Sequence, residues 1–320
     1  MRPIRVDGKS VEVLDQRLLP TREKWIKIRS YEDAYNAIKS MAVRGAPLIG
    51  VVAAFGLALT ESSEDFGRAA EKLKSARPTA INLAWAVDRV LRAARGSGPQ
   101  AAYEEALKIF NEELNNARKI GENGEKLFSD GDTVLTHCNA GALATVDYGT
   151  ALAPIRVARE MGKSLRVYVT ETRPVMQGAR LTAYELMKDG FDVTLIADTA
   201  VGYTMRLGKI TKVIVGADRV LRDGTTINKI GTFQVATMAK RFGIPFYVAL
   251  PSSTLDLESR IEDVKIEERD PSELTYIRGR RIAPRGIKAF NPAFDITPPE
   301  LITAIITEKG VYYPPFDFSK

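Results

Sequence analysis

The sequence predicts an α/β protein in two unlike parts: a mainly helical first part that begins with a small antiparallel element, then a parallel α/β part. Three observations carry this expectation. Short β-branched runs flank Asp7-Gly8-Lys9 near the start. Helical spacing then dominates to about residue 121. From about Asp130, short apolar strands alternate with helical stretches, as in a parallel sheet whose connections cross over it. The 320 residues, 45% apolar and 27% charged, suffice for one large domain or two ordinary ones. We expect a division into 1–125 and 126–320.

Ile4, Val6, Val11 and Val13 supply the first two strands, and Trp25, Ile26 and Ile28 a third. Ser30 is a candidate N-cap, with Asp33 three residues on as a variant capping box. The helix it opens should end near Val43. Arg44-Gly45-Ala46-Pro47 interrupts the pattern, and 46–59 is an almost wholly apolar and therefore buried helix with proline in its first turn. A short helix over 66–73 follows. Arg77-Pro78-Thr79-Ala80 then repeats the arrangement before an apolar helix over 81–94. A loop at 96–99 precedes a long mixed helix over 100–121, whose glutamates and lysines read as solvated surface. Strands are expected at 133–136, 165–170, 192–197, 212–216, 246–250 and 301–307. Helical stretches should begin near Ala142, Gly178, Ala200, Thr232 and Leu255. The aromatic tail from Val311 to Phe318 should pack onto the fold, because its side chains are costly to leave in water.

Composition removes several classes of function. The net charge of +6 is interspersed, with no basic tail. That fits a soluble surface tilted towards an anionic small substrate and gives no nucleic-acid signal. One Cys rules out an internal disulfide framework. One Cys with one His makes a zinc site unexpected. Residues 1–14 lack the apolar core of a signal peptide, and no apolar run is long enough to span a membrane. The cytoplasm is therefore the expected location, with no membrane partner. The turn after the first expected parallel strand reads Cys-Asn-Ala-Gly, not the dinucleotide fingerprint, so no bound NAD is expected.

Polar groups recur where strands should end. His137, Cys138 and Asn139 close the 133–136 strand. Glu171, Arg173 and Gln177 follow the next, and Asp218 and Arg219 follow Val215-Gly216-Ala217. In parallel sheets these ends line the ligand edge. Cys138, Arg173, Gln177 and Asp218, with Lys229 before Gly231, would combine a proton carrier, a second acid or base and charge neutralisation for a small phosphorylated molecule. Arg44 and Arg77, each before a buried helix, are candidate anion clamps, since a helix start favours phosphate. Each residue also has a plainer reading. Asp218 suits a cap or a pair with Arg219, Glu171 and Arg173 suit a structural pair, and His137 suits a hydrogen-bonded core residue.

These residues resemble a known family. Leu14-Asp15-Gln16-Arg17-Leu18-Leu19-Pro20, Arg44-Gly45-Ala46-Pro47, Thr136-His137-Cys138-Asn139-Ala140-Gly141, Glu171-Thr172-Arg173-Pro174 with Gln177-Gly178-Ala179-Arg180, Gly216-Ala217-Asp218-Arg219, Asn228-Lys229-Ile230-Gly231-Thr232 and Asn291-Pro292-Ala293-Phe294-Asp295 are similar to the methylthioribose-1-phosphate isomerases of methionine salvage. The wider family includes ribose-1,5-bisphosphate isomerases and regulatory subunits of translation initiation factor 2B. The resemblance spans essentially the whole chain. It implies a Rossmann-like second domain without a nucleotide, a homodimer, and no metal or cofactor. It implies that Cys138 and Asp218 are the catalytic pair, and that Arg44, Gly45, Ala46, Arg77, Gln177, Asn228 and Lys229 bind substrate. The implied reaction converts 5-methylthioribose 1-phosphate into its ketose. Isomerases of ribose 1,5-bisphosphate or 5-deoxyribose 1-phosphate, and a non-enzymatic regulatory subunit, are the alternatives.

Overall fold

The computed structural model describes residues 1–60, 65–78, 80–277 and 279–319; Thr79 of the second arginine–proline motif lies outside them. Strands β1 (Ile4–Asp7), β2 (Ser10–Leu14) and β3 (Trp25–Ile28) form the expected antiparallel sheet. Helix α1 (Tyr31–Lys39) starts at Ser30, whose Oγ accepts from the Asp33 N–H. Asp33 returns the contact to the N–H of Arg29, one residue earlier than in a standard box. The helix stops at Lys39, short of the expected Val43, with Met41 left-handed (φ 59°) just beyond. Helix α2 (Ala46–Ala58) is buried along nearly its whole length. Helix α3 (Phe66–Lys74) and helix α4 (Ile81–Gly124) pack on it. The expected loop at 96–99 survives as a kink in α4 at Gly98 (φ 78°), followed by Pro99.

The parallel part comprises β4 (Thr133–Thr136), α5 (Leu152–Glu160), β5 (Arg166–Thr170), α6 (Ala183–Lys188), β6 (Asp192–Ile196), α7 (Val201–Arg206), β7 (Lys212–Val215), β8 (Arg219–Leu221), β9 (Thr226–Lys229), α8 (Thr232–Arg241) and β10 (Phe246–Ala249). Beyond it come β11 (Leu255–Asp256), α9 (Ser272–Thr275), β12 (Tyr276–Ile277), β13 (Arg280–Arg281), β14 (Phe294–Thr297), β15 (Ala304–Thr307) and β16 (Gly310–Tyr312). The main sheet has the order β16-β15-β10-β7-β4-β5-β6 and is parallel except for β16. Successive residues of one strand feed opposite cores. Val134, Ile214 and Ile306 pack with Leu152 and Ile155 of α5 on one face. Leu135, Val213 and Ile305 pack with Met205 of α7 and Val235 of α8 on the other. The tail joins this second core through Phe316, as expected.

Three expectations need correction. No regular helix begins near Ala142: a single tight turn at Ala142–Ala144 is followed by loop until α5. Leu255 opens a short strand rather than a helix. The last parallel strand starts at Ala304, because Pro298 and Pro299 hold a tight turn before it. A second sheet, β11-β8-β9-β14, was not anticipated. Among the described residues, no helix is long and apolar enough to cross a membrane.

Candidate active site

Strand order sets the position of the site. From β4 the chain winds outward through β5 and β6. It then returns to the other side of β4 through β7, β10 and β15. The crevice at such a reversal opens at the strands' carboxyl ends. Cys138 follows β4 and Asp218 follows β7, so the two candidates flank that crevice. Both line one cavity of about 160 Å³. Arg44, Gly45, Ala46, Arg77, Gln177, Asn228 and Lys229 line the same cavity, so all nine residues singled out above are brought together. Arg173 is not among them; it is held by the carbonyls of Pro174 and Leu274.

Backbone geometry aims the thiol. Cys138 sits in the left-handed region (φ 64°), which is uncommon for a residue with a Cβ and is stabilised only by its surroundings. Its N–H donates to Thr172 Oγ1 (2.9 Å) and its carbonyl accepts from Thr182 Oγ1 (2.5 Å). Thr182 ends a π-turn, Gly178–Thr182, that leads into α6. Burial pushes the Cys138 thiol up and outweighs the pull of Arg44 and Lys229. The same desolvation raises Asp218 against Lys229, Arg44 and Arg77, and lowers Lys229 despite Cys138 and Asp218.

The helical half delivers Arg44 to this edge. Gly45, at the N-cap of α2, has φ 97°, and a Cβ there would lie 2.3 Å from the carbonyl oxygen of Ala144. Only glycine permits that approach. Arg44 then donates to Asn139 through Nη1 to Oδ1 (2.6 Å) and through Nη2 to the backbone carbonyl (3.0 Å). Arg180 donates to the carbonyl of Gln16 (2.8 Å), and Gln16 Nε2 donates to that of Leu143 (2.6 Å), so two motifs of the sequence lock the halves together. The N-terminus of α2 carries no side-chain cap. By contrast, Asp295 fills the entrance of α8, accepting from the N–H groups of Gly231 (2.7 Å) and Phe233 (3.1 Å).

The unanticipated small sheet carries the remaining groups. Asp218 immediately precedes β8, while Asn228 and Lys229 end β9 and pair with Asp295 and Phe294 of β14. Asn228 is fixed by Thr232 Oγ1 (3.0 Å). Lys229 Nζ donates to the Ala293 carbonyl (2.9 Å) and lies over the Phe294 ring. Arg219 pairs with Asp256 (3.2 Å) rather than with Asp218. Neither Arg44 nor Lys229 forms an ion pair among the described residues, whereas Arg77 reaches Glu267 at 4.0 Å. Gln177 Oε1 is buried without a partner. Sequence reasoning missed Arg269, which lines the cavity with its charge turned onto Glu273 (2.9 Å).

His137 is buried at the cavity wall, with both ring nitrogens occupied. Nε2 donates to the Ile230 carbonyl (2.9 Å), so Nδ1 of the neutral ring accepts from Thr170 Oγ1 (2.7 Å). Burial lowers its pKa, in keeping with that neutral state. Among the described residues, no group of three or more His, Cys, Asp or Glu is placed to hold a metal ion.

The sequence profile of the initiation factor 2 subunit family matches residues 42–314. A methylthioribose-1-phosphate isomerase of Thermosipho africanus is 52% identical, over 97% of this chain and 94% of the relative. The solved structure of 5-methylthioribose 1-phosphate isomerase from Pyrococcus horikoshii OT3 superposes with a TM-score of 0.92 at 42% identity, covering 98% and 93% of the two chains. A structure described as subunit delta of translation initiation factor eIF-2B, from A. fulgidus, superposes with a TM-score of 0.89 at 47% identity, covering 98% and 96%. Sequence motifs, strand order and these matches agree: the chain belongs to the initiation factor 2 subunit family, in its methylthioribose-1-phosphate isomerase branch.

Proposed function

We propose that this chain converts 5-methylthioribose 1-phosphate into 5-methylthioribulose 1-phosphate, with Cys138 and Asp218 as the catalytic pair. One observation carries the reading: a buried thiol and a solvent-accessible carboxyl face one cavity with two cations, Arg44 and Lys229, that form no ion pair among the described residues. A phosphate supplies what those cations lack. The uncapped entrance of α2 points to the same ligand, with Gly45 and Ala46 beside it. Arg77, Gln177 and Asn228 complete the contacts, and the orphaned Gln177 oxygen suits a sugar hydroxyl.

The anomeric oxygen of this substrate carries the phosphate, so opening to a free aldehyde is blocked. Asp218, whose pKa is raised by desolvation and would be raised further by an approaching phosphate, donates in its acid form to the ring oxygen as the C1–O4 bond breaks. Electron deficiency at C1 is then filled from C2. The C2 hydrogen moves to C1 with its electron pair, the C2 hydroxyl returns a proton to the Asp218 carboxylate, and C2 becomes the ketone. An enediol route would instead need a thiolate to take the C2 proton. Burial works against that thiolate, which supports the hydride route, with Cys138 shielding the cationic carbon.

At C5 the choice lies between methylthio, hydrogen and a second phosphate. Met41, Ile49, Ile81, Val175, Ile266 and Phe294 contribute to the cavity wall. Arg219 and Arg269 are already paired with Asp256 and Glu273. An apolar substituent therefore fits better than a second anion. Incubating the protein with 5-methylthioribose 1-phosphate, 5-deoxyribose 1-phosphate and ribose 1,5-bisphosphate tests this. The first should give ketose with the highest kcat/KM. Absence of turnover together with stable association with translation-factor subunits, the reading favoured by the A. fulgidus structure, would overturn it.

We also place the domain division at 125/126. The helical core draws on α4 as far as Leu114, and α4 ends at Gly124 just before this boundary, its last turns already packed on the sheet core through Ile120. A homodimer is supported by the exposed outer edge of the sheet: Leu195 of β6, Met187 of α6, Tyr203 of α7 and Leu207 just beyond it are each at least half exposed. A single buried free cysteine accords with the cytoplasm.

A further inference from the structure

Behind Arg44 lies a buried relay whose polarity is fixed at every step. Arg44 only donates, and Nη1 reaches Asn139 Oδ1 at 2.6 Å. Asn139 then presents its amide nitrogen in the other direction, to Glu185 Oε1 at 2.6 Å. The second oxygen of Glu185 accepts from the Ala142 N–H at 2.7 Å and from Arg156 Nη2 at 2.8 Å. Glu185 is 0% exposed and faces three N–H donors, so it acts as a carboxylate, an acceptor at both ends. Arg156 is balanced on its far side by Asp189 (2.8 Å).

The side chain of Asn139 is the ambiguous member. An amide can turn either face outward, and one of the two would point its NH₂ at the guanidinium. Thr182 Oγ1 favours one face: its single hydrogen goes to the Cys138 carbonyl, so it can only accept from Asn139 Nδ2 (3.1 Å). Glu185 fixes the same face more strongly. Its carboxylate demands the NH₂ face, which leaves Oδ1 for Arg44. The same carboxylate holds the Ala142 N–H, and so the turn Ala142–Ala144 against which Gly45 packs.

We propose that Glu185 is a positioning residue for the anion clamp: by fixing the amide of Asn139 and the turn at Ala142, it orients Arg44 toward the phosphate of the substrate. This rests on the reading of Arg44 as a substrate-binding group. Glu185 touches neither substrate nor the reacting atoms, so its effect falls on binding.

Steady-state kinetics on a cycle of Glu185→Gln and Arg44→Ala tests the proposal, with inhibition by inorganic phosphate as a second measure of anion binding. Glutamine is nearly isosteric, but its NH₂ must face either Asn139 or the pair of Ala142 and Arg156, all donors. Glu185→Gln should raise KM and the inhibition constant of phosphate about tenfold, while kcat stays within about threefold. Arg44→Ala should raise KM about a hundredfold, and adding Glu185→Gln to it should change KM no further. Glu185→Asp guards against a folding defect. It keeps the charge beside Arg156 but is one methylene too short to span Asn139 and Ala142. It should fold and still raise KM about tenfold, whereas a residue that merely balances Arg156 would tolerate it. A KM unchanged in Glu185→Asp, or a Glu185→Gln effect that persists in full without Arg44, overturns the proposal while leaving the role of Arg44 intact. If Arg44→Ala itself leaves KM unchanged, the clamp reading fails and the proposal falls with it.

Discussion

Replacing Gly45 by alanine should disable the site without unfolding the chain. The added Cβ would lie 2.3 Å from the Ala144 carbonyl oxygen and 2.5 Å from its Cα, where ordinary contact begins near 3.4 Å. Both neighbours are backbone, so no side chain can swing aside. The entrance of α2 and the turn after β4 must part by about 1 Å, a displacement that costs about 100-fold when it falls between a binding group and the reacting groups. Alanine at φ 97° adds backbone strain of about 1–3 kcal/mol. We expect kcat/KM to fall about 100-fold with a cooperative thermal transition retained, because the other residues of α2 keep their buried packing. Ketose formation at several substrate concentrations, beside a thermal melt, measures both. Gly8→Ala is the control: Gly8 also has positive φ (51°), but nothing lies within 4 Å of its Cβ position. It should cost stability and leave kcat/KM intact. A Gly45→Ala protein within about threefold of wild-type kcat/KM would refute the close-approach reasoning.

Other outcomes follow from single groups. Asp218→Asn removes the acid while keeping shape, and should lower kcat about 10³-fold with little change in KM; near-normal turnover in a folded variant would remove Asp218 from the chemistry. Substrate deuterated at C2 and turned over in ordinary water should give ketose retaining deuterium at C1, and substantial washout into solvent would favour the enediol route instead. Glu113 bears on pH stability: it is buried, and desolvation, reinforced by Glu308 and Glu112, lifts it from 4.5 to about 7. A carboxyl with a raised native pKa holds its proton better folded than unfolded, so its stabilising share is complete below pH 4.5 and is lost as pH rises to 7. The loss amounts to about 3 kcal/mol. Wild type should lose about that much relative to Glu113→Gln between pH 4.5 and 7.5 in denaturant titrations, and parallel curves would show that Glu113 is not the titrating group.

The sequence made the parallel sheet legible because strands such as Val134-Leu135 and Val213-Ile214-Val215 are apolar on both faces and sit between helices that cover them. Cys138 and Asp218 could be placed at one edge because topology alone puts strand ends together. The small sheet escaped notice for opposite reasons. Its strands are two to four residues long, and β8 and β9 carry the polar Arg219, Asn228 and Lys229. The pairing of β9 with β14 joins residues 67 positions apart at Asp295 and Asn228, beyond any local signal. The turn that stands where a helix was expected after Ala142 is held by a distant residue: the Ala142 N–H donates to Glu185, and a Cβ at Gly141 would overlap that carboxylate. Glu113 was read with the solvated face of its helix, yet the helix is covered there and the side chain is buried. Glu185 and Arg156 did leave a trace, as charged residues among the apolar positions of α6 and α5, but only the fold shows that they meet.

The reversal of strand order beside β4 separates two kinds of change open to this chain. The proposed reacting groups sit on turns that leave the sheet, whereas Arg44 arrives just ahead of a helix of the other half, beside the close approach of Gly45 to Ala144. Substitutions around the entrance of α2 can therefore retune which anion is held while the proposed catalytic pair stays in place. Substitutions at the two turns can silence chemistry while the anion contact persists. A lineage that lost turnover by the second route would keep a folded, phosphate-sensing protein, with a ready-made starting point for control by a metabolite.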